Sequence, residues 1–84
     1  MAAHEQMLLA ANLISLIKGE DNVSASEIFA VLKSAGSTHP ITTIHAEMLR
    51  CCINCPRDNE TPHDYFKSGT HRNEYQLIKK LDLS

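Results

Sequence analysis

Apolar and polar positions follow a helical rhythm over most of this chain and a strand-like one near its end. Residues 7–17 read Met-Leu-Leu-Ala-Ala-Asn-Leu-Ile-Ser-Leu-Ile. Good helix formers fill this stretch, and its two polar residues, Asn12 and Ser15, lie three apart and share one narrow strip of a helix surface. The rest of the circumference is apolar, which predicts a helix buried on most sides. Gly19 ends it, and Glu20, Asp21 and Asn22 form a polar turn. The next segment is the most tightly specified. Ser24 and Glu27 have capping-box spacing, with Val23 and Ile28 at the staple positions around the cap. Ile28, Val31, Leu32 and Ala35 keep helical phase, and Gly36 supplies a left-handed stop.

A third helix begins at Pro40, a residue suited to the first turn. Ile41, Ile44, Met48, Cys52 and Cys55 define its buried stripe, while Thr42, Thr43, His45, Glu47 and Arg50 project from the other side. Pro56 cannot continue it. Residues 57–62 form a polar loop. Tyr65, Phe66 and Lys67 read as a short strand, Ser68 and Gly69 as a turn, and residues 73–81 as a second strand with imperfect alternation.

Three helices followed by a hairpin with a basic, glycine-containing tip resemble a winged helix-turn-helix domain. The resemblance rests on Val23-Ser24-Ala25-Ser26-Glu27-Ile28 opening the second helix, the short turn over residues 35–39, the helix after Pro40 and a wing over residues 67–72. It spans nearly the whole chain at the level of architecture, and small bacterial and bacteriophage regulators are the nearest kind. It implies an α+β fold: a single three-helix winged helix-turn-helix domain with a C-terminal β-hairpin wing. It also implies double-stranded DNA as partner, with the third helix in the major groove and the wing on the backbone. By position, Thr42, Thr43, His45 and Arg50 would face DNA, and Lys67, His71 and Arg72 would grip phosphate.

Charge complicates that expectation. The 84 residues carry a formal net charge of −2, whereas dedicated DNA binders are usually basic. Glu47 sits on the expected recognition face, and Arg50 is that face's one full positive charge. Residues 65–80 do carry Lys67, Arg72, Lys79 and Lys80 against Glu74 alone, so a basic segment lies near the C-terminus. Four cations there equally describe a solvated hairpin. A protein partner for the same fold, as for an inhibitor or co-regulator, tolerates the acidic balance better than phosphate does.

Three cysteines, two of them adjacent, do not make a stapled secreted scaffold, and the first residues lack a basic leader. A reduced, cytoplasmic protein with no membrane span is expected. Cys51, Cys52 and Cys55 with His63 or His71 could bind zinc, but the spacing lacks a second Cys-x-x-Cys. The favoured reading makes the cysteines small core residues, with no metal or cofactor. The five histidines are scattered, and no phosphate loop or nucleophile signature accompanies them, so the chain is not expected to be an enzyme. Finally, a domain this small has difficulty covering both sides of an all-apolar first helix. Either that helix forms a homodimer with a second copy, or it is wedged between the second helix and the hairpin.

Overall fold

The computed structural model describes residues 2–53, 64–69 and 73–81. Its elements in chain order are α1 (Ala3–Lys18), β1 (Asn22–Ser24), α2 (Ala25–Ser34), α3 (Ile41–Arg50), β2 (Phe66–Ser68) and β3 (Glu74–Leu77). The three strands form one antiparallel sheet in the order β1-β3-β2. No helix among the described residues is long and apolar enough to cross a membrane.

α1 starts four residues before the apolar run, because the Glu5 carboxylate accepts the Ala2 backbone N–H (3.1 Å) and satisfies a donor of the first turn. α2 behaves as its sequence dictates. Ser24 Oγ accepts the Glu27 N–H (3.2 Å), and the Glu27 carboxylate accepts the Ser24 N–H (2.9 Å). At its other end Gly36 takes φ 90°, so its own N–H reaches the Lys33 carbonyl (3.0 Å) and the Ser37 N–H reaches the Leu32 carbonyl (2.9 Å). That closes a complete Schellman motif.

β1 is an element that hydrophobic periodicity does not announce. Asn22, expected in a polar turn, pairs with Gln76, and Ser24 both ends the strand and caps α2. An N-cap residue already has extended dihedrals, here φ −118° and ψ 160°, so strand runs into helix without a linker. α3 is shorter than expected, ending at Arg50 rather than near Cys55. Cys51 instead offers its carbonyl to the Tyr65 and Phe66 N–H groups (3.1 and 3.0 Å), and Ile53 N–H donates to the Phe66 carbonyl (2.9 Å). Pairing with the start of β2 replaces the next helical turn.

Phe66 is fully buried where α3, β2 and β3 meet, edge-on to Tyr75 with ring centroids 6.0 Å apart. It shares one buried cluster with Met7, Ala11 and Ile14 of α1, Ile28 of α2, Ile44 and Met48 of α3, and Leu77. β3 stops at Leu77, short of the expected end at residue 81. Beyond it the Ile78 and Lys79 N–H groups still donate to the Tyr65 carbonyl (2.8 and 3.2 Å), and α1 holds the same segment: Asn12 Nδ2 donates to the Lys79 carbonyl (3.2 Å), and its Oδ1 accepts the Leu81 N–H (3.0 Å). The polar strip of Asn12 and Ser15 therefore faces inward, both residues buried, while Leu13, Leu16 and Ile17 are exposed.

Candidate interaction surface

The inward commitment of Ile44 and Met48 sets the phase of α3. Successive helical residues are turned by about 100°, so the outermost line runs through Thr42, Ala46 and Leu49. All three are exposed, as is Ile53 just beyond the helix. Leu49 and Ile53 stand 44% and 46% exposed. Apart from the Thr42 hydroxyl the outer line of α3 is apolar, and exposed Arg50 borders it.

The expected recognition residues are distributed around that line. Thr42 lies on it. Thr43 and His45 sit on its flanks and are half-buried. Arg50 is exposed, but its Nη1 donates to Glu47 Oε1 at 2.9 Å, so the one cation of α3 is answered within its own helix. The bridge between Cys52 and Phe66 brings the end of α3 against the start of β2, which places Lys67 near the Ile53 end of the line. Lys67 is exposed and borders a polar hollow of about 480 Å³ with Asp21, Asn22, Ser68, Gly69 and Gln76. His71 and Arg72 lie outside the described residues.

Other cations of the basic balance are engaged elsewhere. Lys18 Nζ meets Glu27 (3.0 Å) and Glu20 (3.5 Å), a hydrogen bond and attraction that raise its pKa. Burial pushes the Glu27 carboxyl up, but bonds from Lys18 and the Ser24 backbone outweigh it and hold the pKa below its ordinary value. Lys80 pairs with Asp21, which also accepts from Ser15 Oγ (2.8 Å); the Lys80 bond and then the Ser15 bond lower the Asp21 pKa. Lys33 Nζ lies 5.8 Å from the centroid of the Phe29 ring. Among the described residues Lys67 and Lys79 make no ion pair. The described cations therefore do not converge on α3.

Cys51 and Cys52 are buried, in keeping with a core role, but Cys52 is disulfide-bonded while Cys51 keeps its thiol. This corrects the expectation of three reduced cysteines. A disulfide sulfur is no thiolate ligand, so a zinc site through Cys52 does not fit this state. Cys55, His63 and His71 lie outside the described residues, and among those described no three His, Cys, Asp or Glu side chains gather as a metal site.

Ala46, Leu49 and Ile53 are exposed positions that the sequence reading did not single out. Their signal was present: Leu49 falls out of phase with Ile44 and Met48 and had no place in the buried stripe. Compared with family models, curated proteins and solved structures, the chain matches none.

Proposed function

We propose that this chain is a winged helix-turn-helix binding module whose third helix docks a protein rather than DNA. The element order α1-β1-α2-α3-β2-β3 with sheet order β1-β3-β2 supports the winged-helix reading. The observation that carries the choice of partner is the outer line of α3: Thr42, Ala46, Leu49 and Ile53, with Arg50 held by Glu47. A helix in a major groove uses cationic and hydrogen-bonding side chains toward phosphates and base edges. Exposed leucine and isoleucine gain little there and gain by burial against apolar protein surface. The partner is a protein with an apolar patch to cover Leu49 and Ile53 and acidic groups toward Lys67, an exposed cation on the strand that the end of α3 meets.

Fluorescence anisotropy with labelled mixed-sequence and genomic duplexes tests this, run from about 50 to 200 mM salt, where phosphate contacts impose a steep dependence. The expected result is no saturable binding at either end. The complementary arm captures the chain's stoichiometric partner from its own host and compares wild type with Leu49→Glu and Ile53→Glu, whose exposed positions leave the core intact. Loss of that partner is expected. Salt-sensitive DNA binding weakened by Arg50→Ala or Lys67→Ala overturns the proposal in favour of a DNA-binding regulator reading through Thr42, Thr43, His45, Arg50, Lys67, His71 and Arg72.

A further inference from the structure

The end of α3 runs into a polar row on the outer face of the sheet. Cys52 bridges Phe66 in parallel, which puts the next residue of each segment, Ile53 and Lys67, on neighbouring strands. Lys67 pairs with Gln76, and Gln76 with Asn22. Side chains alternate between the two faces of a sheet. Phe66, Leu77 and Val23, each next in sequence to a member of this row, are buried in the core, so the row itself points away from it. Ile53, Lys67, Gln76 and Asn22 thus stand in line across about 14 Å at about 4.8 Å per strand spacing. The hollow of about 480 Å³ opens along the polar end of this line, with no apolar side chain in its wall.

The Lys67 ammonium and the Asn22 and Gln76 side-chain amides make no hydrogen bond or ion pair among the described residues. The one acid in the wall is already answered, because Asp21 accepts from Lys80 and from Ser15 Oγ (2.8 Å). The unanswered charge of the hollow is therefore a single cation, flanked by two amides able to donate.

We propose that this hollow takes a carboxylate, an Asp or Glu side chain of the same protein that covers Leu49 and Ile53. Lys67 is its charge partner, and Gln76 and Asn22 are the donors that orient it. The inference rests on the reading of α3 as a protein-docking helix and specifies the acidic contact of that site. Charge selects a monoanion. One ammonium balances one carboxylate through a charge-assisted hydrogen bond, whereas a phosphate monoester brings nearly two charges. Glu74, two residues from Gln76 on the same face of β3, adds repulsion against the second. Continuity of the row selects the source, since a chain seated on Ile53 at one end reaches the hollow within a few residues.

Amide NMR signals of the intact chain, titrated separately with sodium acetate and inorganic phosphate at constant ionic strength, read the hollow directly. Acetate is expected to move the Ser68, Gly69 and Gln76 backbone signals and the Asn22 and Gln76 side-chain amides along one saturating curve. Lys67→Met should weaken that binding about tenfold, whereas Lys79→Met, which removes an exposed cation elsewhere, should not. A second arm uses acetylated, amidated peptides carrying Leu and Glu a few residues apart, and the same peptides with Gln for Glu. The Glu peptides should shift Ile53 and the hollow together, and the Gln peptides Ile53 alone. No saturable acetate shift, phosphate bound more tightly than acetate, or equal weakening by Lys79→Met overturns the proposal. Its failure is distinct from that of the α3 reading. A partner lost in Leu49→Glu with no acetate shift refutes the hollow and leaves α3, while acetate bound with Ile53 unmoved by every peptide refutes the shared protein partner.

Discussion

Replacing Asn12 with alanine tests how much one buried side chain adds to the hold on the C-terminal segment, beside the Lys80–Asp21 pair and the bonds of the Ile78 and Lys79 N–H groups to the Tyr65 carbonyl. Asn12 is 5% exposed, and its amide makes three hydrogen bonds, to the Leu8 carbonyl (3.0 Å), the Lys79 carbonyl (3.2 Å) and the Leu81 N–H (3.0 Å). The Leu8 carbonyl also accepts a helical backbone bond, so its loss is mostly compensated. The two bonds to the tail have no substitute. At about 1 kcal/mol each they contribute about 2 kcal/mol, and the space left by the amide adds a fraction more. A domain of this size loses about 4–8 °C of melting temperature per kcal/mol, so a fall of about 10–20 °C is expected. Thermal and urea unfolding followed by circular dichroism give the magnitude, and native-state hydrogen exchange locates it. The Leu81 amide should become fast while core amides of α2 slow only as far as global stability dictates. A loss under about 0.5 kcal/mol with the Leu81 amide still protected would refute the reasoning, because the clamp would then be cosmetic.

Three further outcomes follow from the geometry. Ser24→Ala removes the acceptor for the Glu27 N–H and should cost about 1 kcal/mol of unfolding free energy by urea titration, whereas Ser34→Ala, at the exposed end of α2, should cost almost nothing. Asp21 has its pKa lowered below the ordinary 3.8 by Lys80 and then Ser15; a carboxyl lowered on folding stabilises above its unfolded pKa and loses that contribution as pH falls through the folded value. Urea midpoints measured below about pH 4 should therefore drop more in wild type than in Asp21→Asn, and parallel acid limbs would exclude the pair as a source of stability. In Gly69→Ala the new Cβ meets the Glu74 carbonyl oxygen at 3.0 Å, close to where the Gly69 N–H bonds that oxygen (2.9 Å). Opening the hairpin to admit it should cost about 1 kcal/mol, read as a lower urea midpoint and broadened amide signals from β2 and β3.

How much of this fold is legible in the chain depends on the range of the interaction that made each part. α2 was readable to the residue because its cap, staple and stop are contacts three to five residues apart. β1 was not, since three residues cannot display a period and its existence depends on β3, some fifty residues later. The end of α3 failed for a related reason: Cys52 continues the apolar spacing, yet Phe66 takes its backbone into a bridge. Asn12 and Ser15 were seen as one strip, but their direction could not be, because the partners that make burying them tolerable are the returning tail's backbone for Asn12 and Asp21 with Lys80 for Ser15. Helical phase also governs which side chains of α3 stand out. Listing the polar residues of α3 placed Thr43, His45 and Glu47 outside together, but those three flank the true outer line.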